Sequence, residues 1–212
     1  MNKMRLLILA CAASGAGTLA GCIEMAAVGV GAAVLSMEDR RTTGTQVEDE
    51  GIELRTSNRI GERFGGKVHV NVTSFNRNVL LTGEATDEKS RAEIEKIARD
   101  VPNVRGVTNE IQIAGLSSLG ARSNDSFITS KVKARFLDAN KFSPVHVKVV
   151  TEAGVVYLLG IVTEKEAADA VEIARTTGGV RKVVKVLEYC QPTDQACRPR
   201  EQPKGAEAKP KG

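Results

Sequence analysis

Apolar positions between residues 68 and 190 follow two patterns in turn, and the succession occurs twice. Val68, Val70 and Val72 alternate with His69, Asn71 and Thr73, the period of a strand with one buried face. Asn76-Arg77-Asn78 supplies a turn, and Val79 to Thr82 returns as a second strand. Ala92, Ile94, Ile97, Ala98 and Val101 have helical spacing, with Asp87 and Glu88 at the first turn, where the helix dipole favours negative charge. Pro102-Asn103 ends that helix, and Val104 to Ile113 predicts a third strand. Further along, Val145 to Glu152, a turn at Ala153-Gly154, Val155 to Leu159, a helix over Glu164 to Thr176 and a strand over Val180 to Tyr189 repeat the order.

The recurrence is a true internal repeat. Val68, His69, Val70, Val72, Leu81 and Gly83 align with Val145, His146, Val147, Val149, Leu158 and Gly160 at an offset of 77. After the loss of one residue the offset is 76, pairing Ile97, Ala98, Arg99, Val104 and Arg105 with Ile173, Ala174, Arg175, Val180 and Arg181. A helix is expected before each hairpin, over Val47 to Phe64 in the first copy and from a cap at Asp125 to Leu137 in the second. Each copy therefore reads α-β-β-α-β. This is an α+β unit with two helices covering one face of a three-stranded mixed sheet, because such a sheet alone would leave its apolar face wet.

The N-terminal segment reads as an address. Lys3 and Arg5 precede an apolar, small-residue run that ends in Leu19-Ala20-Gly21-Cys22, the pattern of an export signal. That ending resembles the lipobox of bacterial lipoproteins, which implies cleavage before Cys22 and acylation of Cys22. Glu24 interrupts the apolar stretch short of the roughly 20 residues that a spanning helix needs. Ile23, rather than Asp, after the Cys implies sorting to the outer membrane in lipoproteins of enterobacterial type. The expected organisation is a signal peptide at 1–21, an acylated N-terminus and tether at 22–43, two domains at 44–115 and 116–190, and a disordered tail at 191–212. That tail holds four of the six prolines.

Composition narrows the function. Lys and Arg number 30 against 26 Asp and Glu, and loss of Lys3 and Arg5 with the signal lowers the net charge from +4 to +2. Attraction to an anionic surface must then come from a local patch, and nucleic acid is not an expected partner. Aromatics are 3% with no Trp, so stacking platforms for bases are scarce. Cys190 and Cys197 would meet an oxidising periplasm, which favours a peripheral disulfide. An idle thiol pair is the alternative, and a metal or redox pair lacks C-x-x-C spacing and a neighbouring His. His69 and His146 sit on the strand phase opposite the buried valines and should face solvent or the domain seam. Neither has a carboxylate or Cys at ligand spacing, so no metal or cofactor is expected. Gly29-Val30-Gly31 lacks the flanking strand and helix of a dinucleotide loop. No serine stands in a G-x-S-x-G setting, and the chain reads as a non-enzyme.

The order α-β-β-α-β, with Gly83 and Gly160 ending the second strands, resembles the BON domain. Gly44-Thr45-Gln46-Val47, Ser123-Asn124-Asp125 and Val162-Thr163-Glu164 extend the likeness over most of the mature chain; the tail from Cys190 departs from it. Two such domains behind a lipobox resemble outer-membrane lipoproteins of that family. The resemblance implies a protein facing the periplasm that supports envelope integrity at division sites and binds anionic phospholipid through the first helix of the second domain. In this chain that implies Phe127 at the position associated with membrane insertion, with Lys131, Lys133 and Arg135 for phosphates and Val132 and Leu137 assisting. Ile128, Val132 and Phe136 fall at i, i+4 and i+8 and can face the sheet, and a bland alternative makes Phe127 a core residue and the cations a solvated face. Arg55, Arg59 and Arg63 on the equivalent helix of the first domain are offset by Glu48, Asp49, Glu50, Glu53 and Glu62. The competing function is a periplasmic adaptor for cell-wall or outer-membrane assembly proteins.

Overall fold

The computed structural model describes residues 39–194 and Cys197. The signal at 1–21, Cys22, most of the tether and most of the tail lie outside the described residues. The first copy consists of α1 (Thr43–Phe64), β1 (His69–Phe75), β2 (Asn78–Ala85), α2 (Glu88–Arg99), β3 (Gly106–Asn109) and β4 (Gln112–Ile113). The second consists of α3 (Leu119–Ala139), β5 (Val147–Glu152), β6 (Val155–Val162), α4 (Glu164–Arg175) and β7 (Lys182–Tyr189). In each copy the hairpin is antiparallel. Its second strand lies at the centre of the sheet and pairs in parallel with β3 and β4 in the first copy and with β7 in the second. The α2 and α4 crossovers supply the length that parallel pairing requires.

Two local differences from the sequence reading have clear causes. Asp125 does not cap α3: Ser118 does, accepting the Ala121 amide at 3.2 Å, and the helix starts six residues before Asp125. Thr42 caps α1 in the same way, through the Thr45 amide at 3.1 Å. The third strand of the first copy is broken at Glu110-Ile111. There the Asn109 side chain accepts the Ile111 amide at 3.2 Å and donates to Glu95 at 3.0 Å, tying the chain to α2.

Each copy has its own helix–sheet core. Ile52 and Ile60 of α1, Val79 and Leu81 of β2, and Ile94 and Ala98 of α2 form the first. Ile128, Val132 and Phe136 of α3 meet Val156, Leu158, Ala170 and Ile173 in the second, where Phe136 and Phe142 pack edge to face. Thr56 of α1 occupies the place that Val132 fills in α3, is 0% exposed, and its hydroxyl has no partner. Thr56→Val removes that buried polar group without changing shape. It is expected to stabilise by about 1 kcal/mol, raising the thermal midpoint by ~2–4 °C in a melt followed by circular dichroism.

The two sheets then meet through their helix-free faces. Phe75 and Leu80 from the first pack with Tyr157, Leu159 and Ile161 from the second, giving four layers ordered helix, sheet, sheet, helix. Full burial is worth about 1.5–3 kcal/mol for each such side chain, so the seam holds both copies as one body. Polar groups border it. Glu152 accepts from Asn71 at 2.7 Å and Thr82 at 3.3 Å, and Glu188 accepts from Asn76 and Asn78, each at 2.9 Å. Burial pushes the Tyr157 hydroxyl up to about 12, reinforced by the charges of Glu110 and Glu152. A disulfide joins Cys190 to Cys197, with Cα atoms 6.0 Å apart. It packs against this seam rather than on the periphery, and residues 191–194 form a turn in what composition alone places in the tail.

Candidate functional site

Helix α3 is apolar on two sides. Its inner side carries Ile128, Val132 and Phe136, each no more than 1% exposed. On its outer side Phe127 is 62% and Leu137 65% exposed, with Ala134 exposed between them. Ten residues of helix put Phe127 and Leu137 about 15 Å apart along the axis. The intervening serines are muted: Ser126 donates to the Arg122 carbonyl at 3.1 Å and Ser130 to the Ser126 carbonyl at 3.0 Å, so their hydroxyls are already satisfied by the helix.

The sequence-predicted cations divide. Lys133 is exposed. Lys131 places its ammonium 4.8 Å from the centre of the Phe127 ring and donates to the Gly178 carbonyl, so it flanks the apolar surface at one edge. Arg135 turns to the C-terminal end of α4, donating to the Ile173 carbonyl and the Thr177 hydroxyl at 2.8 Å each and to the Thr176 hydroxyl at 3.1 Å. It satisfies the Ile173 carbonyl at that helix end, where a cation suits the dipole. Val132 is 0% exposed and belongs to the core, which corrects its assignment as a lipid contact: i, i+4 spacing with Ile128 and Phe136 puts all three against the sheet.

Comparison of the two first helices isolates what is particular to α3. Inner positions correspond at the offset of 76: Asp49 with Asp125, Ile52 with Ile128, Ile60 with Phe136. Outer positions diverge, and Gly51 and Gly61 stand where α3 carries Phe127 and Leu137. The cations of α1 are engaged within the protein, Arg55 with Glu48, Arg63 with Glu93, and Arg59 with the Asp100 carbonyl at 3.2 Å.

The histidines hold matching places in the two repeats, each just before the residue that pairs with the hairpin glycine, but their side chains differ in partner. His69 begins β1, with Nε2 3.4 Å from the Asn71 amide nitrogen. His146 lies in a 3₁₀ turn before β5, with Nδ1 3.2 Å from Glu166. Among the described residues, no group of three or more His, Cys, Asp or Glu could hold a metal, and no helix is long and apolar enough to cross a membrane.

The family model for the BON domain matches residues 49–115 and 124–191. The chain belongs to the BON-domain family. The BON chain is 34% identical over 173 residues to "Outer membrane lipoprotein DolP" of Haemophilus influenzae, covering 81% of this chain and 90% of that one. It is 34% identical over 155 residues to a "21 kDa hemolysin" of Actinobacillus pleuropneumoniae, covering 72% and 80%. To "Osmotically-inducible protein Y" of Escherichia coli it is 31% identical over 117 residues, covering 54% and 58%. Two BON domains and this likeness make it a DolP-like lipoprotein of the outer membrane, facing the periplasm.

Sequence reasoning missed a duplicated feature of the BON hairpins. Asp125, 6% exposed, accepts the amides of Ala153 and Gly154 at 2.8 Å each. Asp49, 2% exposed, accepts those of Asn76 and Arg77 at 2.8 and 2.7 Å and the Ser74 hydroxyl at 2.7 Å. The signal was an acid at one register in both repeats, three residues before the first inward isoleucine of each helix.

Proposed function

We propose that this BON protein is a non-enzymatic envelope module, acylated at Cys22, that lays the outer side of α3 on anionic phospholipid and supports envelope integrity at division sites. The observation that carries this reading is the divergence of the repeats, with core positions kept while Gly51 and Gly61 of α1 correspond to exposed Phe127 and Leu137 in α3. Packing does not require large apolar side chains at those places, since the first copy forms the same layers without them. Phe127, Ala134 and Leu137 would enter the acyl boundary, with Lys131 and Lys133 at the phosphates. Arg135 would act by fixing α3 on α4. An acyl anchor keeps such a weak surface at high local concentration, so modest affinity suffices.

Sedimentation of the unacylated chain with phosphatidylglycerol vesicles tests it. Burial of Phe or Leu is worth about 1.5–3 kcal/mol, so Phe127→Ala and Leu137→Ala should each weaken retention about tenfold or more. Lys133→Ala should weaken it about fivefold, with little effect on phosphatidylcholine vesicles. Equal retention of parent and Phe127→Ala would refute the site.

A second reading, an adaptor for envelope proteins, draws on α1, where Val47 and Leu54 are 64% and 63% exposed in the other outer layer. Site-specific crosslinking from position 54 that captures a protein, together with absence of vesicle binding, would favour it.

A further inference from the structure

The last residues of the expected tether are built into the body. Asp39 is 8% exposed, and the side chains of Arg40 and Arg41 are 10% and 14% exposed. The two arginines grip different domains. Arg40 reaches the second, donating to Glu166 through both terminal nitrogens at 2.7 and 3.0 Å and to the Ile161 carbonyl at 2.8 Å. Burial pushes Glu166 up, but Arg40 and the Thr163 amide outweigh it and hold the carboxyl at about 2. Arg41 serves the first domain: it donates to Asp49 at 2.9 Å, lies 4.0 Å over the Phe75 ring, and is braced by Asp39 at 2.7 Å. A leash needing only length has no reason to bury two guanidinium groups on opposite sides of a seam.

The docking point is also at one end of α3. Helices α3 and α4 run antiparallel, since Arg135 meets Ile173 while Lys141, just past α3, meets Asp169 at 2.8 Å. Asp169 is three residues from Glu166, so Arg40 sits near the end of α3 that carries Leu137.

We infer that Asp39–Arg41 is a clasp, with Arg40 on Glu166 and Arg41 on Asp49 and Phe75, that fixes where the anchored N-terminus leaves the body and so presents α3 to the leaflet holding the anchor. This rests on the proposed membrane contact of α3. Asp39 lies seventeen positions after Cys22, a span of at most ~60 Å. Release of the clasp would let the exit point swing away and let other faces meet the bilayer. Arg40 and Arg41 are thus positioning residues.

The chain has no Trp, so Phe127→Trp provides a background-free reporter. The full acylated protein carrying it is placed in phosphatidylglycerol-containing vesicles with brominated acyl chains. Quenching of at least twofold is expected with the clasp intact, and Arg40→Gln or Arg41→Gln should lose half or more of it at unchanged pelleting. Unchanged quenching in both variants overturns the clasp and leaves the membrane reading standing. No quenching with the clasp intact overturns both. The same variants in the unacylated Cys22→Ser chain separate positioning from folding: binding equal to the parent supports the clasp, and an equal loss there overturns it. If Arg40→Gln fails to melt cooperatively, Glu166→Gln approaches the contact from its other side, with the same outcomes.

Discussion

A valine at Gly83 is expected to leave the first domain unfolded. Gly83 has φ +113°, which side-chain-bearing residues rarely adopt, and it pairs with Val70 across the hairpin. A Cβ there would overlap the His69 carbonyl oxygen and lie 2.9 Å from its carbon and 3.2 Å from the Val70 Cα. All three are backbone atoms of the neighbouring strand, so no rotamer change gives relief. Gly160 meets the same wall, overlapping the His146 carbonyl oxygen, but at 3.3 and 3.4 Å from the next two atoms and without the unusual φ. The expected order of damage is Gly83→Val, then Gly160→Val, each above about 4 kcal/mol against a total stability of about 5–15. Urea unfolding monitored by circular dichroism measures it. Gly61→Ala, where an added Cβ meets nothing within 4 Å, is the control and should be neutral or stabilising. Cooperative unfolding of Gly83→Val at the parental urea concentration would show that the strands do not approach this closely.

The second large effect is expected at Asp49 and Asp125. Each carboxylate lies inside a helix and binds consecutive amides of the hairpin turn beside it, where the backbone has positive φ: 52° and 65° at Asn76 and Arg77, 47° and 72° at Ala153 and Gly154. Two-residue turns of this kind match strand twist but strain residues other than Gly and Asn, and Arg77 and Ala153 are such residues. Removing the carboxylate strands two amides and releases the turn. Asp125→Ala should cost about 3 kcal/mol, and Asp49→Ala about 3–5, because Ser74 loses its acceptor and Arg41 one of its carboxylate partners as well. The thermal midpoint should fall by roughly 10 °C in either variant. Asn at either site keeps the shape and one acceptor oxygen and should fall between. A midpoint within 2 °C of the parent for both alanines would show that the turns hold themselves.

These acids also mark where sequence reasoning stops. Val68, Val70 and Val72 alternate because they turn toward the helices of the first copy, and that alternation is visible without coordinates. Asp125 reads as a cap because Asp is common there, yet an acid can be buried in a helix when amides from a distant turn converge on it, and no local rule contains that turn. The seam between sheets is also present in the residues, though not in their period: Val156 to Leu159 is a continuous apolar run because β6 is buried on both faces. At the candidate site, exposure of Phe127 and burial of Val132 follow from helix phase once Ile128 and Phe136 face inward. The capping role of Arg135 does not, since it depends on where α4 ends.

The stacking of sheet on sheet has a further consequence. Helices α1 and α3 lie in outer layers on opposite sides of the stack, so a flat bilayer that meets one cannot meet the other. Three layer spacings, on the order of 30 Å in all, separate them. Duplication has in this way produced a two-sided body rather than a doubled grip: with α3 resting on lipid, Val47 and Leu54 would be held up in the aqueous compartment, within reach of visitors that never touch the membrane.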